Sequence, residues 1–180
     1  MVKLEQDKII AVAIELLQEQ GLERLNMRAL AKRLGVQASA LYWHVSSKDE
    51  LFARISFQFY AKAFAAAAGS RDWREWLYAL GMGLREALIS TRDSARLCTI
   101  AAPPKGEPDV STSSLAAPLV EMGLSSEKAW SFQSSVLAFT LGWAIYEQSE
   151  VLHAHLGTML DFADSHAMGL AALVRGLEVC

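Results

Sequence analysis

The sequence predicts an all-α fold, with an N-terminal three-helix unit built around a helix–turn–helix, a linking helix and a larger C-terminal helical unit. Three observations predict it. Apolar residues recur at three- and four-residue spacing along nearly the whole chain, while glycines and Asn or Ser caps punctuate those stretches. No segment shows the strict alternation of a half-buried strand. With 180 residues, 52% of them apolar, there is material for a sizeable core in one domain or two small ones. The boundary falls at the start of the linking helix, giving units of 1–47 and 48–180.

The elements follow in order. In residues 6–20, Ile9, Val12, Ala13, Leu16 and Leu17 keep helical spacing, and Gly21 ends the segment. Asn26 is suited to cap a helix over 27–34. Gly35 supplies the left-handed turn into a second short helix over 38–44. Ser47 and Glu50 have the spacing of a capping box and open a long helix over 48–67. Helices over 72–90, 92–100 and 111–123 follow, with Pro103–Asp109 as the longest loop and Pro118 expected to kink or shorten its helix. Two strong helices, about 126–153 and 160–177, close the chain. The second carries Ala163, Ala167 and Ala171 at spacing four, with Gly169, Ala172 and Gly176 interleaved. Small side chains let another helix approach to about 8 Å. Either a buried helix of one subunit or a dimer seam meets that pattern, and the apolar excess favours the seam.

Charge is distributed unevenly. The chain carries a net charge of −3, yet residues 24–48 hold Arg24, Arg28, Lys32, Arg33 and Lys48 and no Asp or Glu. Residues 1–62 carry nine basic and seven acidic side chains, net +2, and the remainder is net −5. In an acidic protein, a local basic cluster is more telling than overall charge. Two short basic helices hinged at a glycine form the shape that places a second helix in the major groove of DNA. With Leu41 and Val45 turned inward, Ser39, Ala40, Tyr42 and Trp43 are left to meet a duplex. Tyr42 is able to donate to a phosphate, and Lys48 adds a charge at a helix start. His44 suits a backbone contact, more strongly when protonated, and Arg28 suits a guanine edge. Tyr42 and Trp43 also fit a second role as apolar cement.

Gln20-Gly21-Leu22, Met27-Arg28-Ala29-Leu30-Ala31, Leu34-Gly35-Val36 and Leu41-Tyr42-Trp43-His44-Val45, followed by Lys48, together resemble the N-terminal layout of the tetracycline-repressor family of bacterial regulators. More weakly, Asp72-Trp73, Ala87-Leu88-Ile89-Ser90 with Arg92-Asp93, and Phe139-Thr140-Leu141-Gly142 are similar to its tetracycline-responsive branch. The resemblance implies an all-helical homodimer with a DNA-reading N-terminal domain and a ligand-sensing, dimerising C-terminal domain. It also implies DNA contacts at Arg28, Tyr42, Trp43, His44 and Lys48. Where the tetracycline repressor has Gln-Pro-Thr, this chain has Ala38-Ser39-Ala40. Two of these lack hydrogen-bonding side chains, so a different operator is expected, read more by Gln37 and Arg28.

The sensing half departs further. The resemblance implies a drug–magnesium chelate, but the aligned metal-ligating histidine is Cys98, the nearby Thr-Arg-Pro run is Ala101-Ala102-Pro103, and Phe64 replaces another drug-contacting histidine. Magnesium requires oxygen ligands, so tetracycline is not the expected effector and no cofactor is expected. Helix phase and alignment place Phe64, Leu80, Leu84, Cys98, Trp130, Ser134 and Leu137 around a largely apolar pocket for an unidentified small-molecule effector.

Other classes find little support. There is no phosphate loop, nucleophile elbow or paired His/carboxylate motif, so no enzyme and no catalytic residue are expected. His153 and His155 point to different sides of a helix, so with His166, Asp161 and Asp164 they make a poor metal group, and no metal site is expected. Cys98 and Cys180 lack zinc spacing and read as free thiols, and Arg96 alone is thin support for a redox switch at Cys98. No apolar run reaches the roughly 18–20 residues of a membrane span, and no signal peptide opens the chain. The expected location is cytoplasmic. The leading expectation is a repressor homodimer, paired through helices 126–153 and 160–177, on a palindromic double-stranded operator. A constitutive or architectural DNA-binding dimer and a small-molecule carrier are the competing readings.

Overall fold

The computed structural model describes residues 5–102 and 112–177, which form ten helices. The expected Pro103–Asp109 loop lies outside the described residues. In chain order the helices are α1 (Gln6–Gln20), α2 (Met27–Leu34), α3 (Ala38–Tyr42), α4 (Lys48–Ala67), α5 (Trp73–Ile89), α6 (Ser94–Ile100), α7 (Thr112–Glu121), α8 (Ser126–Gln148), α9 (Glu150–Leu156) and α10 (Phe162–Gly176). No described residue lies in a strand.

The N-terminal caps act where their side chains require. Asn26 accepts from the Ala29 amide at 3.0 Å and opens α2. Gly35 closes it in the left-handed conformation (φ 69°, ψ 28°), and the Val36 amide returns to the Ala31 carbonyl at 3.1 Å. Ser47 accepts from the Glu50 amide at 3.0 Å. Glu50 completes that box one residue early, accepting from the amide of Ser46 at 2.7 Å. Ile9, Ala13, Leu17, Leu30, Leu41, Val45, Leu51 and Ile55 are all buried and join α1–α3 to the first turns of α4.

Helix α4 continues from that head into the core, where it packs along α5, and α5 packs in turn on α8 and α10. The approaches are close. A Cβ on Gly83 would lie 2.6 Å from the Cβ of Ala66, and one on Gly81 would lie 2.6 Å from a methyl of Leu170. A largely buried ion pair joins α5 to α8, with Arg85 Nε 3.0 Å and Nη2 2.6 Å from the two carboxylate oxygens of Glu147. Gln148, at the end of α8, donates to the carbonyls of Leu88 and Thr91, each at 2.8 Å, and accepts from the Ala95 amide at 3.2 Å. It thereby fixes the turn between α5 and α6.

Several boundaries differ from the sequence expectation. The expected helix over 126–153 is two helices, because Ser149 ends α8 and its hydroxyl caps α9 at Leu152. The helix expected over 38–44 stops at Tyr42, after which Trp43 and His44 form a turn. Pro118 lies inside α7, which ends three residues later. Gly169 serves a contact within the chain, since a Cβ there would meet the ring of Phe139 at 2.8 Å, whereas Gly142 and Gly176 face open space.

Candidate nucleic-acid interface and sensing core

Helix α3 is short, and Leu41 is its one fully buried residue. Val45 is fully buried one turn on, and the amides of His44 and Val45 both return to the Leu41 carbonyl at 3.0 Å. Everything between those anchors is pushed outward. Gln37, Ser39, Ala40, Tyr42 and His44 are exposed, and Trp43 is 90% exposed. Ala38 differs: it is half-buried and packs on the core of the head. An indole held almost wholly in solvent contributes little to the fold, so Trp43 is not apolar cement.

Arg24, Arg28 and Lys32 are exposed on the same head, and Lys48 stands at the start of α4 with its Nζ 5.0 Å from the centroid of Phe52. Arg33 is turned away and bound to Glu19 of α1, which accepts from Nη1 at 3.1 Å and also from Nη2. That hydrogen bond holds the Glu19 carboxyl below the usual carboxylate range. The α3–α4 turn is braced by Glu50, whose carboxylate meets the Ser46 amide and hydroxyl and the Arg54 Nε at 2.9 Å. Those bonds, the Ser46 hydroxyl first, likewise lower the pKa of Glu50. The Gln6 amide oxygen, turned toward Arg54, accepts from its Nη1 at 2.8 Å and ties α1 to the same brace.

A second contact joins head and core away from α4. Asp93, in the left-handed conformation (φ 56°), accepts from the Leu22 amide at 2.8 Å. Beside it the Arg92 amide donates to Gln18 at 2.6 Å, and Arg96 meets Glu23 at 2.7 Å. Sequence reasoning marked Arg92-Asp93 only as part of a resembling run. Its partners lie about seventy residues away, and no local signal points to them.

In the core, Leu80, Leu84 and Cys98 are buried, and Phe64, Trp130 and Leu137 are half-buried. Phe64 meets Trp76 edge-on at 5.6 Å, and Trp73 meets Phe132 at 5.5 Å. Burial pushes the Cys98 thiol up to about 12 and the Tyr60 phenol likewise, so both are neutral at ordinary pH. Ser134, expected to line the pocket, is exposed instead, and Gln133, one residue earlier, takes the inward position at 2% exposure. Apolar residues lie on every side of α8, so the pattern alone does not fix its phase. His166 is buried between α8 and α10, stacked on Phe139 at 5.4 Å, with Nε2 3.3 Å from the Thr140 hydroxyl. No group of three metal-ligating side chains forms among the described residues, and none of their helices is long and apolar enough to cross a membrane.

A basic helix–turn–helix head on a helical core is the architecture of a DNA-binding transcription regulator. Comparison with known proteins agrees. Residues 9–55 match the family model for bacterial regulatory proteins of the tetR family, and residues 65–167 match the tetracyclin repressor-like C-terminal domain. The class D tetracycline repressor protein of Escherichia coli is 32% identical over 200 residues, covering 99% of this chain and 91% of that protein. The TetR-Q116A structure from Acinetobacter baumannii AYE in complex with minocycline superposes with a TM-score of 0.82 at 28% identity, over 98% of each chain. BioQ with its double-stranded DNA operator superposes at 0.64 and 26% identity, over 94% of this chain and 99% of that one. The chain belongs to the tetR family of DNA-binding transcriptional regulators.

Proposed function

We propose that the protein is a cytoplasmic homodimeric repressor, released from a palindromic operator by a small, largely apolar ligand. The observation that carries the reading is the outward surface from Arg28 to Lys48. It holds no carboxylate until Asp49 and leaves a nearly bare indole at Trp43. In this reading Arg28 and Gln37 read base edges, Ser39 and Ala40 contact the groove, and Tyr42, Trp43, His44 and Lys48 fix register on the backbone. Half-buried Ala38 supports the start of α3. One related structure is solved with operator DNA and another with minocycline, which supports the two-ligand logic.

The open face of α8 and α10 supports pairing. Ala138, Ile145, Tyr146, Met168 and Ala172 are exposed, and Gly142 and Gly176 leave room for a second backbone. A two-fold axis there would set two α3 helices against half-sites roughly 34–36 Å apart. The core residues present do not fit a magnesium chelate. A buried protonated thiol at Cys98 and a phenyl at Phe64 offer no oxygen ligand. The effector in this reading is therefore metal-free.

Selection of random duplexes by the purified protein tests the DNA half. Enrichment of a palindrome that differs from the tetracycline operator is expected. An unenriched pool, or preference for the tetracycline operator over other palindromes at equal salt, refutes it. Arg28→Ala should relax preference at one base position, whereas Lys48→Ala should weaken all sequences alike and lower the salt slope by about 1. A small-molecule screen for loss of operator binding tests the sensing half, and a constitutive binder would give no hit.

A further inference from the structure

The sensing core contains a polar group that its own fold leaves unserved. Gln133 is 2% exposed, and its Oε1 is buried without a hydrogen-bond partner. Buried acceptors are almost always paired, and an orphan destabilises the folded state unless something else supplies a donor. Its neighbourhood is aromatic. Adjacent Phe132 packs on Trp73 at the start of α5, the helix that α8 packs against, and Trp76 meets Phe64 edge-on one turn further along α5. Its buried surroundings are uncharged: among the described residues, Arg85 is the only buried one bearing a full charge, and Glu147 neutralises it, while the exposed Arg74 covers Trp73 at 4.2 Å. A charged ligand would find no buried counter-ion left unpaired there, and an aromatic one would find ring faces and edges.

We propose that Gln133 is the hydrogen-bond acceptor for an uncharged aromatic effector that carries an N–H or O–H donor. The inference rests on the reading that the C-terminal half senses a small molecule, and it specifies the chemical class. The orphan oxygen is the selective element, since a methylated analogue would leave it unpaired and would also have to fit an added methyl group.

The test uses matched probes, indole against 1-methylindole and 2-naphthol against 2-methoxynaphthalene, titrated into the full chain and followed by its tryptophan fluorescence. Wild-type protein should bind the donor-bearing member of each pair at least about tenfold more tightly, and Gln133→Leu should reduce that ratio to about one. Gln133→Leu should also melt no lower than wild type, because it removes an unpaired buried acceptor. Equal affinities within each pair, or a preference that survives Gln133→Leu, overturn the assignment while leaving a ligand-binding core in place. A Gln133→Leu protein that melts several degrees lower makes Gln133 a structural group and overturns it too. Absence of binding by all four compounds also overturns it, and the operator-release screen then judges the sensing reading separately.

Discussion

Gly21→Ala tests the joint between head and core. Gly21 has φ 77° and ψ 171°, a region open almost only to glycine, so an alanine there costs on the order of 1–3 kcal/mol. The new Cβ would also lie 2.8 Å from Asp93 Oδ2. The carboxylate must then withdraw from the Leu22 amide, and a hydrogen bond to a charged acceptor is worth about 1.5–3 kcal/mol. The two effects together reach about 2.5–6 kcal/mol, which for a chain of this size lowers the melting temperature by roughly 5–20 °C. Thermal unfolding at fixed protein concentration reads this directly. In an Asp93→Ala background the collision is absent, so Gly21→Ala should cost only its backbone share, leaving a coupling of about 1.5–3 kcal/mol. A melting temperature within about 3 °C of wild type, or an equal cost in both backgrounds, refutes the reasoning.

Four further outcomes are expected. Glu147→Ala leaves the Arg85 guanidinium buried and unpaired, and urea unfolding should show a loss of about 3 kcal/mol, more than for Glu147→Gln. Burial, helped by Arg85, holds the His166 imidazole down at about 4, so between that value and 6.5 the unfolded chain binds a proton that the folded one refuses. Stability should therefore fall as pH drops through this window, and His166→Phe should flatten the fall. Glu50 adds to the same trend for a different reason: bonds to its charged form lower the carboxyl and stabilise the fold at neutral pH, an effect lost as pH falls through its folded value, so Glu50→Gln should blunt the acid limb. Trp43→Ala should leave the unfolding midpoint within about 0.5 kcal/mol of wild type while weakening operator binding, and equal losses of both would contradict its exposure.

The head was legible because its signals are local. Asn26 and Ser47 accept from amides three residues on, and the Gly35 amide donates to carbonyls three and four residues back, so residue type and spacing suffice to place α2 and α4. Ser149 shows the limit. A helix break made by a serine that caps the next helix carries no Gly or Pro, and the single helix expected over 126–153 passed over it. Gln133 and Ser134 show another, since an α8 apolar on every side has no preferred phase until α5 packs against it. Hydrogen bonds between residues far apart, such as Asp93 to Leu22 and Gln148 to Thr91, have no local trace in the sequence.

The shortness of α3 separates folding from recognition. Leu41 and Val45, with half-buried Ala38, hold the segment, and the side chains of Gln37, Ser39 and Ala40 are exposed. Substitutions at exposed positions of this kind change stability by no more than about 0.5 kcal/mol. Those three positions can therefore be randomised together, so that a library samples many chemical surfaces on one unchanging scaffold. Lineages descending from such a head are free to drift toward new sites on DNA without first being restabilised.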